Sequence, residues 1–515
     1  MARTPLLNML LSLSRERAAA EQKQTGDQPS SSAIGRRAAL RGAAGLAFTP
    51  ALPLAGLAAS ARIAVVGAGL AGLTAARELR KAGLSPDVYE GSTRIGGRCY
   101  SARGFFDDGQ VAERGGEFID TGHKEIRALA KSLGLVLDDV LEATPPNTRS
   151  LYVFNGKPYS LADATRDWQP LYAVLRAQNA MLGDYSYQRA NVEARRFDAM
   201  TVAQWIDAHV PNGRGGQLGQ LIETAFTEEN GADASEQSAL NLISVLVVNE
   251  RQRFNLYNTE SDQRFRVRGG NDQIPALLAK SFGDDIRTAT PLVAIAARLD
   301  GTVRLSFKRD GGVVDTVYDR VILTIPFSVM RAAVDYRQAG FRALKNQAIA
   351  TLPMGASTKF QLQFTRRAWT DVGCNGEMRV PSQTFQTTWE VSRGQPGTRG
   401  LLNFFSGGSR AINAAKTDAV TLASTVMSNA APVTPGLSEI WTGLMIKDAW
   451  TTNPWSLGSY SYYPPGYQTT VLGVEGEREG NCFFAGEHTA DECAFLNSGV
   501  QSGLRAAAEV IASLR

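Results

Sequence analysis

The sequence predicts an α/β protein in which a dinucleotide-type βαβ domain is interleaved with a second, α+β domain. Two observations predict it. A strand, glycine turn, helix and second strand follow one another over residues 62–90, and strand patterns return far downstream, at 293–324 and 482–486, after a long helical stretch. The expected first domain is therefore discontinuous, at 62–122, 262–330 and 440–515, with the second at 123–261 and 331–439.

The apolar run Arg62–Val66 reads as a buried strand, and Gly67-Ala68-Gly69-Leu70-Ala71-Gly72 turns it into a helix. The three glycines serve a tight turn, close backbone approach to a pyrophosphate, and close helix–strand packing. The helix N-terminus at Leu70 and Ala71 offers N–H groups and a positive dipole end to phosphates. Asp87–Glu90 reads as the second strand, and Glu90 falls where an acid bonds ribose hydroxyls. Together these make a Rossmann-type unit. Arg94-Ile95-Gly96-Gly97-Arg98 then adds a second, basic glycine turn. NAD does not require such a turn, whereas FAD has a flavin end still to be held.

Further along, Glu125–Leu133, Trp168–Leu182, Ala199–Ala208 and Leu218–Phe226 show apolar spacings of three and four, as in helices. Val293–Ala297, Thr302–Phe307 and Val321–Thr324 read as strands. Phe341–Ala350 reads as a short helix, and Ala356–Phe364 alternates like a half-buried strand. Cys482–Gly486 reads as a buried strand and Gly499–Leu514 as the closing helix.

Residues 1–61 differ from the rest. Gly35-Arg36-Arg37-Ala38-Ala39-Leu40-Arg41 precedes an uncharged Ala/Gly/Leu run ending at Ala59-Ser60-Ala61. This is the layout of a twin-arginine export signal with a small-x-small cleavage site, and it predicts a periplasmic or secreted enzyme. Pro50 and Pro53 interrupt the run and argue against a stable membrane anchor. The leader holds seven of the 54 basic and three of the 50 acidic residues, so the remainder is balanced at 47 each. The basic balance of the whole chain therefore implies no nucleic-acid partner. Four cysteines without CxxC spacing and three histidines imply no metal site.

Beyond this βαβ unit, the chain resembles the flavin amine oxidases, the superfamily of monoamine, polyamine and L-amino-acid oxidases. Gly115-Gly116-Glu117-Phe118-Ile119-Asp120 is similar to the family's turn lining the flavin. Gly269-Gly270-Asn271-Asp272-Gln273 resembles the segment re-entering the cofactor domain, and Val293 falls where family backbone meets adenine. Phe484-Ala485-Gly486-Glu487 and Gly499-Val500-Gln501-Ser502-Gly503 resemble the C-terminal pyrophosphate and ribityl loop. The resemblance also places Gly97, Arg98 and Trp450 at the cofactor.

It implies an FAD-dependent oxidase that converts an amine to an imine, then to carbonyl and ammonia, with dioxygen giving hydrogen peroxide. A small amine or amino acid and O2 are the implied partners; a homodimer stays open. Pro353–Lys359 matches the motif whose lysine holds a water against flavin N5, so Lys359 is a candidate catalytic cation. Ser459 stands where monoamine oxidases carry the flavin-linking cysteine, so FAD is expected to bind non-covalently. Tyr460 and Phe495 are the implied walls of an aromatic cage that orients a neutral amine.

The substrate is divided among alternatives. Phe118 stands where common L-amino-acid oxidases place a carboxylate-binding arginine, which favours an amine. Asp120 falls where polyamine oxidases hold a distal ammonium; its alternative is a surface acid bonding its own backbone. Arg393 or Arg410 could still supply a carboxylate site for a basic amino acid. An exported dehydrogenase passing electrons to a cytochrome or quinone is a further alternative.

Overall fold

The computed structural model describes residues 61–246, 262–381 and 384–515. The expected leader lies outside them, except for Ala61.

A five-stranded parallel sheet forms the centre of the first domain. Its strands run in the order Cys482–Phe484, Arg320–Leu323, Ile63–Val66, Asp87–Tyr89 and Ile286–Arg287. These strands are short and apolar because helices and a second sheet cover both faces. One face carries the helix Leu70–Lys81 and the closing helix Leu496–Ser513, which share a core with Ile63, Val65, Ile322 and Phe483. The other face packs on the four-stranded sheet built around Val303–Arg309.

The second domain is built on an antiparallel sheet ordered Thr387–Glu390, Gly400–Gly407, Ser357–Phe364 and Trp441–Ala449. Helices over 161–246 form a separate apolar cluster around Trp168, Trp205 and Phe226.

Three sequence expectations change. Strands Leu137–Asp139 and Arg149–Phe154 appear in the region read as helical, because each finds its partner far away, at Phe265–Val267 and Cys374–Arg379. The domain boundaries also shift. Trp441–Ala449 belongs to the second domain's sheet, Asp335–Gln338 pairs with Leu292–Ala297 in the first, and Lys124–Ser132 packs into the first domain's core.

The third change bears on the site. Ser357–Phe364 is buried at every position, not along one face. Phe360, Leu362 and Phe364 face an apolar core with Leu402 and Phe404. Lys359, Gln361 and Gln363 face the first domain and donate to its backbone carbonyls at Glu113 and Asp107. The alternation is real, but its polar side meets another domain instead of water.

Candidate functional site

At the first glycine turn, Gly67 adopts φ +110°, and a Cβ there would lie 2.2 Å from Thr324 Oγ1. A Cβ on Gly72 would lie 1.8 Å from the Gly67 carbonyl oxygen. Gly69 differs: a Cβ there meets nothing within 4 Å, and the helix it begins has no side-chain cap. So two glycines close the turn, and the third leaves open space before the first helical turn, whose amides have no carbonyl four residues back to bond. Leu70, Ala71 and Gly72 lie on that first helical turn.

The second turn docks directly on the first. The Gly96 amide donates to Ala68 O at 2.8 Å, and Gly96 bridges to Gly69. Gly97, at φ +56°, would bring a Cβ to 3.6 Å from Gly69 Cα. The Arg94 guanidinium donates to the Ile95 and Gly97 carbonyls and so ties up its own turn. Glu90 is buried, with its carboxylate accepting the Ala68 and Ser92 amides at 2.8 and 2.9 Å. A carboxylate has about four acceptor positions, which leaves capacity for ribose hydroxyls.

Val293 sits where the ladder to the neighbouring strand shifts register between Leu292 and Ala294, so it drops out of that ladder. Gly499 and Gly503 let the closing helix approach the first helix, where a Cβ on Gly503 would stand 2.4 Å from Ala71 O. Val500 is buried between them. The open Gly69, the uncapped helix and the bulged Val293 all fit the adenine and pyrophosphate half of FAD.

Towards the flavin end, Gly115 lies so close to the Arg98 carbonyl that a Cβ would meet it at 1.9 Å; one on Gly116 would meet Leu496 at 2.6 Å. The Trp450 indole N–H donates to Arg114 O at 3.0 Å and pins this turn from above.

Lys359 lies beneath the turn with its side chain 3% exposed. Its ammonium donates to Glu113 O at 2.6 Å, to Gly115 O at 3.3 Å and to Glu117 Oε2 at 2.7 Å. Lys359, the candidate catalytic cation, thus has a buried counter-ion in Glu117. Trp389 donates its indole N–H to the same Glu117 oxygen at 3.1 Å, and its ring lies 6.1 Å from that of Phe118. Trp389 has no motif around it, and only strand pairing brings it here.

The Glu113 side chain, next to this pair, accepts from the Asn271 amide and the Ser101 hydroxyl. Burial, opposed by these two bonds, pushes its carboxyl up to about 7. The folded protein thus binds an extra proton between the usual carboxyl value of 4.5 and about 7. Glu113 consequently lowers stability as pH rises through 7. Glu113→Gln is expected to melt close to wild type at pH 5 and above it at pH 8, a difference that calorimetry at both values measures.

Glu487 joins the two implied cage walls. Its carboxylate accepts from Arg98 Nη1 at 2.7 Å, from the Ser461 hydroxyl at 2.9 Å and from the Ala494 amide at 2.9 Å. Burial alone would raise this carboxyl, but the Arg98 guanidinium and these donors hold it at about 2. Ser461 follows Tyr460 and Ala494 precedes Phe495, so a single carboxylate anchors the chain directly beside both residues. Gly486, at φ +125°, makes the turn that aims it.

Tyr460 is buried, donates its hydroxyl to Glu228 O at 2.8 Å and accepts from Ser357 Oγ at 3.2 Å. Phe495 packs edge-on against His123, with ring centroids 4.8 Å apart. Ser459 donates to Gly355 O at 2.8 Å, and a hydroxyl cannot form the flavin thioether.

Asp120 is neither at an exposed mouth nor on the surface. It is 1% exposed, accepts the Gln263 amide at 2.8 Å and sits against His123. Arg393 donates to Asn375 O at 2.6 Å. A guanidinium that the sequence did not single out, Arg379, is fully buried beside Glu377 and Glu228.

This chain matches the family described as flavin containing amine oxidoreductase over residues 70–511. It belongs to that family. The parallel sheet with its glycine turns is the family's FAD domain, and FAD is the cofactor, held without a covalent bond. The chain is 25% identical to an L-amino-acid oxidase of Mus musculus over 464 residues, 87% of this chain and 70% of the mouse protein. It is 26% identical to the flavin-dependent L-tryptophan oxidase RebO of Lentzea aerocolonigenes over 487 residues, 86% of this chain and 97% of that protein. Cyclohexylamine oxidase from Brevibacterium oxydans IH-35A shares the fold at a TM-score of 0.75 and 20% identity, over 88% of this chain and 99% of that one.

Proposed function

We propose that this flavin amine oxidoreductase oxidises the C–H bond beside a primary amine and uses dioxygen as its acceptor. The amine becomes an imine, which water hydrolyses to a carbonyl and ammonia; O2 becomes hydrogen peroxide. FAD supplies the two-electron acceptor between the two halves. The Glu487 clasp carries this reading, because it anchors the chain beside Tyr460 and beside Phe495 and ties both segments to Arg98 of the second glycine turn.

Tyr460 and Phe495 orient the amine, and both are rigid: one is hydrogen-bonded and the other packed on His123. Phe118 and Trp389 add an aromatic wall that excludes water. Lys359 is the cation nearest the turn, and its field at O2 depends on its buried partner Glu117.

A second reading, oxidation of an amino acid, is supported by the L-amino-acid oxidase and L-tryptophan oxidase relatives. The twin-arginine leader supports export of the folded enzyme.

Purified protein is expected to be yellow and to produce peroxide from at least one member of an amine and amino-acid panel. Comparing lysine with cadaverine isolates the carboxylate. Turnover only with an artificial dye under nitrogen would instead favour the dehydrogenase reading.

A further inference from the structure

The Lys359 ammonium is the one cation implied to face the flavin, yet this chain buries a carboxylate directly against it. Glu117 Oε2 stands 2.7 Å from Lys359 Nζ, and the two side chains are 4% and 3% exposed. The other charges nearby are arranged differently. Asp448, across the strand ladder from Lys359, pairs with Arg114 at 2.7 Å. The Glu113 side chain is held by Asn271 and Ser101, and only its backbone carbonyl meets the ammonium. Glu117 is therefore the direct countercharge of Lys359.

Two further observations show that Glu117 is placed with care. Trp389 donates to the oxygen that Lys359 already engages, which fixes the carboxylate plane. The second oxygen, Oε1, is buried with no hydrogen-bond partner among the described residues. Glu117 follows directly on Gly115-Gly116, the turn that the motif resemblance implies along the flavin. A strut could engage both carboxylate oxygens; this one leaves an acceptor unused at the cofactor turn.

We propose that Glu117 is a positioning residue that sets the oxygen reactivity of the enzyme by neutralising Lys359. This rests on the reading of the chain as an amine oxidase but deepens it to the choice of electron acceptor. In the oxidative half-reaction, two electrons and two protons leave reduced FAD and reach O2, giving FAD and H2O2. Negative charge builds on O2 as the first electron arrives, and a lone cation favours that step. An ion pair presents a much weaker field, because the opposite charges lie within hydrogen-bonding distance. The pair restrains the reaction with oxygen and leaves room for another acceptor.

The test reduces the FAD holoenzyme with light instead of substrate, so its outcome is separate from whether any amine is oxidised. Stopped-flow mixing with oxygenated buffer gives the reoxidation rate constant, and dye equilibration gives the flavin midpoint potential. Glu117→Gln is expected to speed reoxidation by roughly tenfold or more and to move the potential to a more positive value. Glu117→Asp, which keeps the charge, is expected to stay nearer wild type in both measurements. A Gln variant with a lower melting temperature but an unchanged rate and potential would overturn the proposal, since a strut predicts that pattern.

Glu117→Gln leaves an unpaired buried ammonium and can fail to fold. The double variant Glu117→Gln with Lys359→Met replaces the pair by neutral groups, a change buried ion pairs commonly tolerate. It is then compared with Lys359→Met alone. Recovery of the oxygen rate in the double variant by at least roughly fivefold supports charge cancellation. No recovery overturns it.

Discussion

Glu487→Gln is expected to give a protein that loses amine turnover and flavin together. The carboxylate accepts three bonds from three separate segments: Arg98 at the second glycine turn, Ser461 beside Tyr460, and Ala494 beside Phe495. A glutamine has a single acceptor oxygen and two N–H donors, so its amide nitrogen faces another donor. It also leaves the Arg98 guanidinium without its buried partner. Breaking such a pair costs about 3–5 kcal/mol. Displacing two walls of a site by even about 1 Å costs on the order of 100-fold in rate. The pH dependence has a definite sign. The folded-state carboxyl titrates at about 2, below its usual 4.5, so the wild-type advantage is complete above 4.5 and is lost as pH falls through 2. Thermal melts of the two proteins at pH 3 and pH 7 measure this: the gap in melting temperature should narrow at the lower value. An equal gap at both would show that Glu487 acts through shape alone.

The second large effect is expected at the first glycine turn, where the glycines have different duties. Gly72→Ala places a methyl 1.8 Å from the Gly67 carbonyl oxygen, so the helix Leu70–Lys81 must move off its strand. The strain amounts to about 1–3 kcal/mol and appears with or without cofactor. FAD affinity falls as well, because the shifted helix no longer aims its amides. Gly69→Ala should behave otherwise. Its methyl meets no protein atom within 4 Å, and φ is −81°, which alanine adopts freely. The apo-protein should keep its melting temperature, and only FAD binding should weaken. Melting curves of apo-protein, with titration of FAD followed by flavin fluorescence, separate the two. Equal behaviour of the two variants would show that the turn does not contact the pyrophosphate through Gly69.

The glycine turns were legible because backbone chemistry leaves a local signature. A positive φ, a bare Cα beneath a carbonyl and an acid at the end of the next strand all lie within residues 67–98. The same holds for the strand Ser357–Phe364, whose alternation was plain. Its meaning was not. A polar face looks identical in sequence whether it meets water or another domain, and here Lys359, Gln361 and Gln363 reach backbone carbonyls across an interface. Asp120 shows the same limit. The sequence places it on the turn, and only the tertiary structure shows the chain returning at Gln263 to donate to its carboxylate.

Glu117, Trp389 and Arg379 mark what had no sequence signal. Glu117 was read as a flavin-lining residue, and nothing local says that a lysine 242 positions later will pair with it. Trp389 and Arg379 stand on short strands without a motif.

By itself, then, the sequence determined the cofactor class, the family and the order of the turns, because each depends on backbone geometry encoded over a few consecutive residues. Only the tertiary structure decided which charges meet. Electrostatic pairing falls off over a few ångströms, and residues hundreds of positions apart reach that range only once both sheets are packed together.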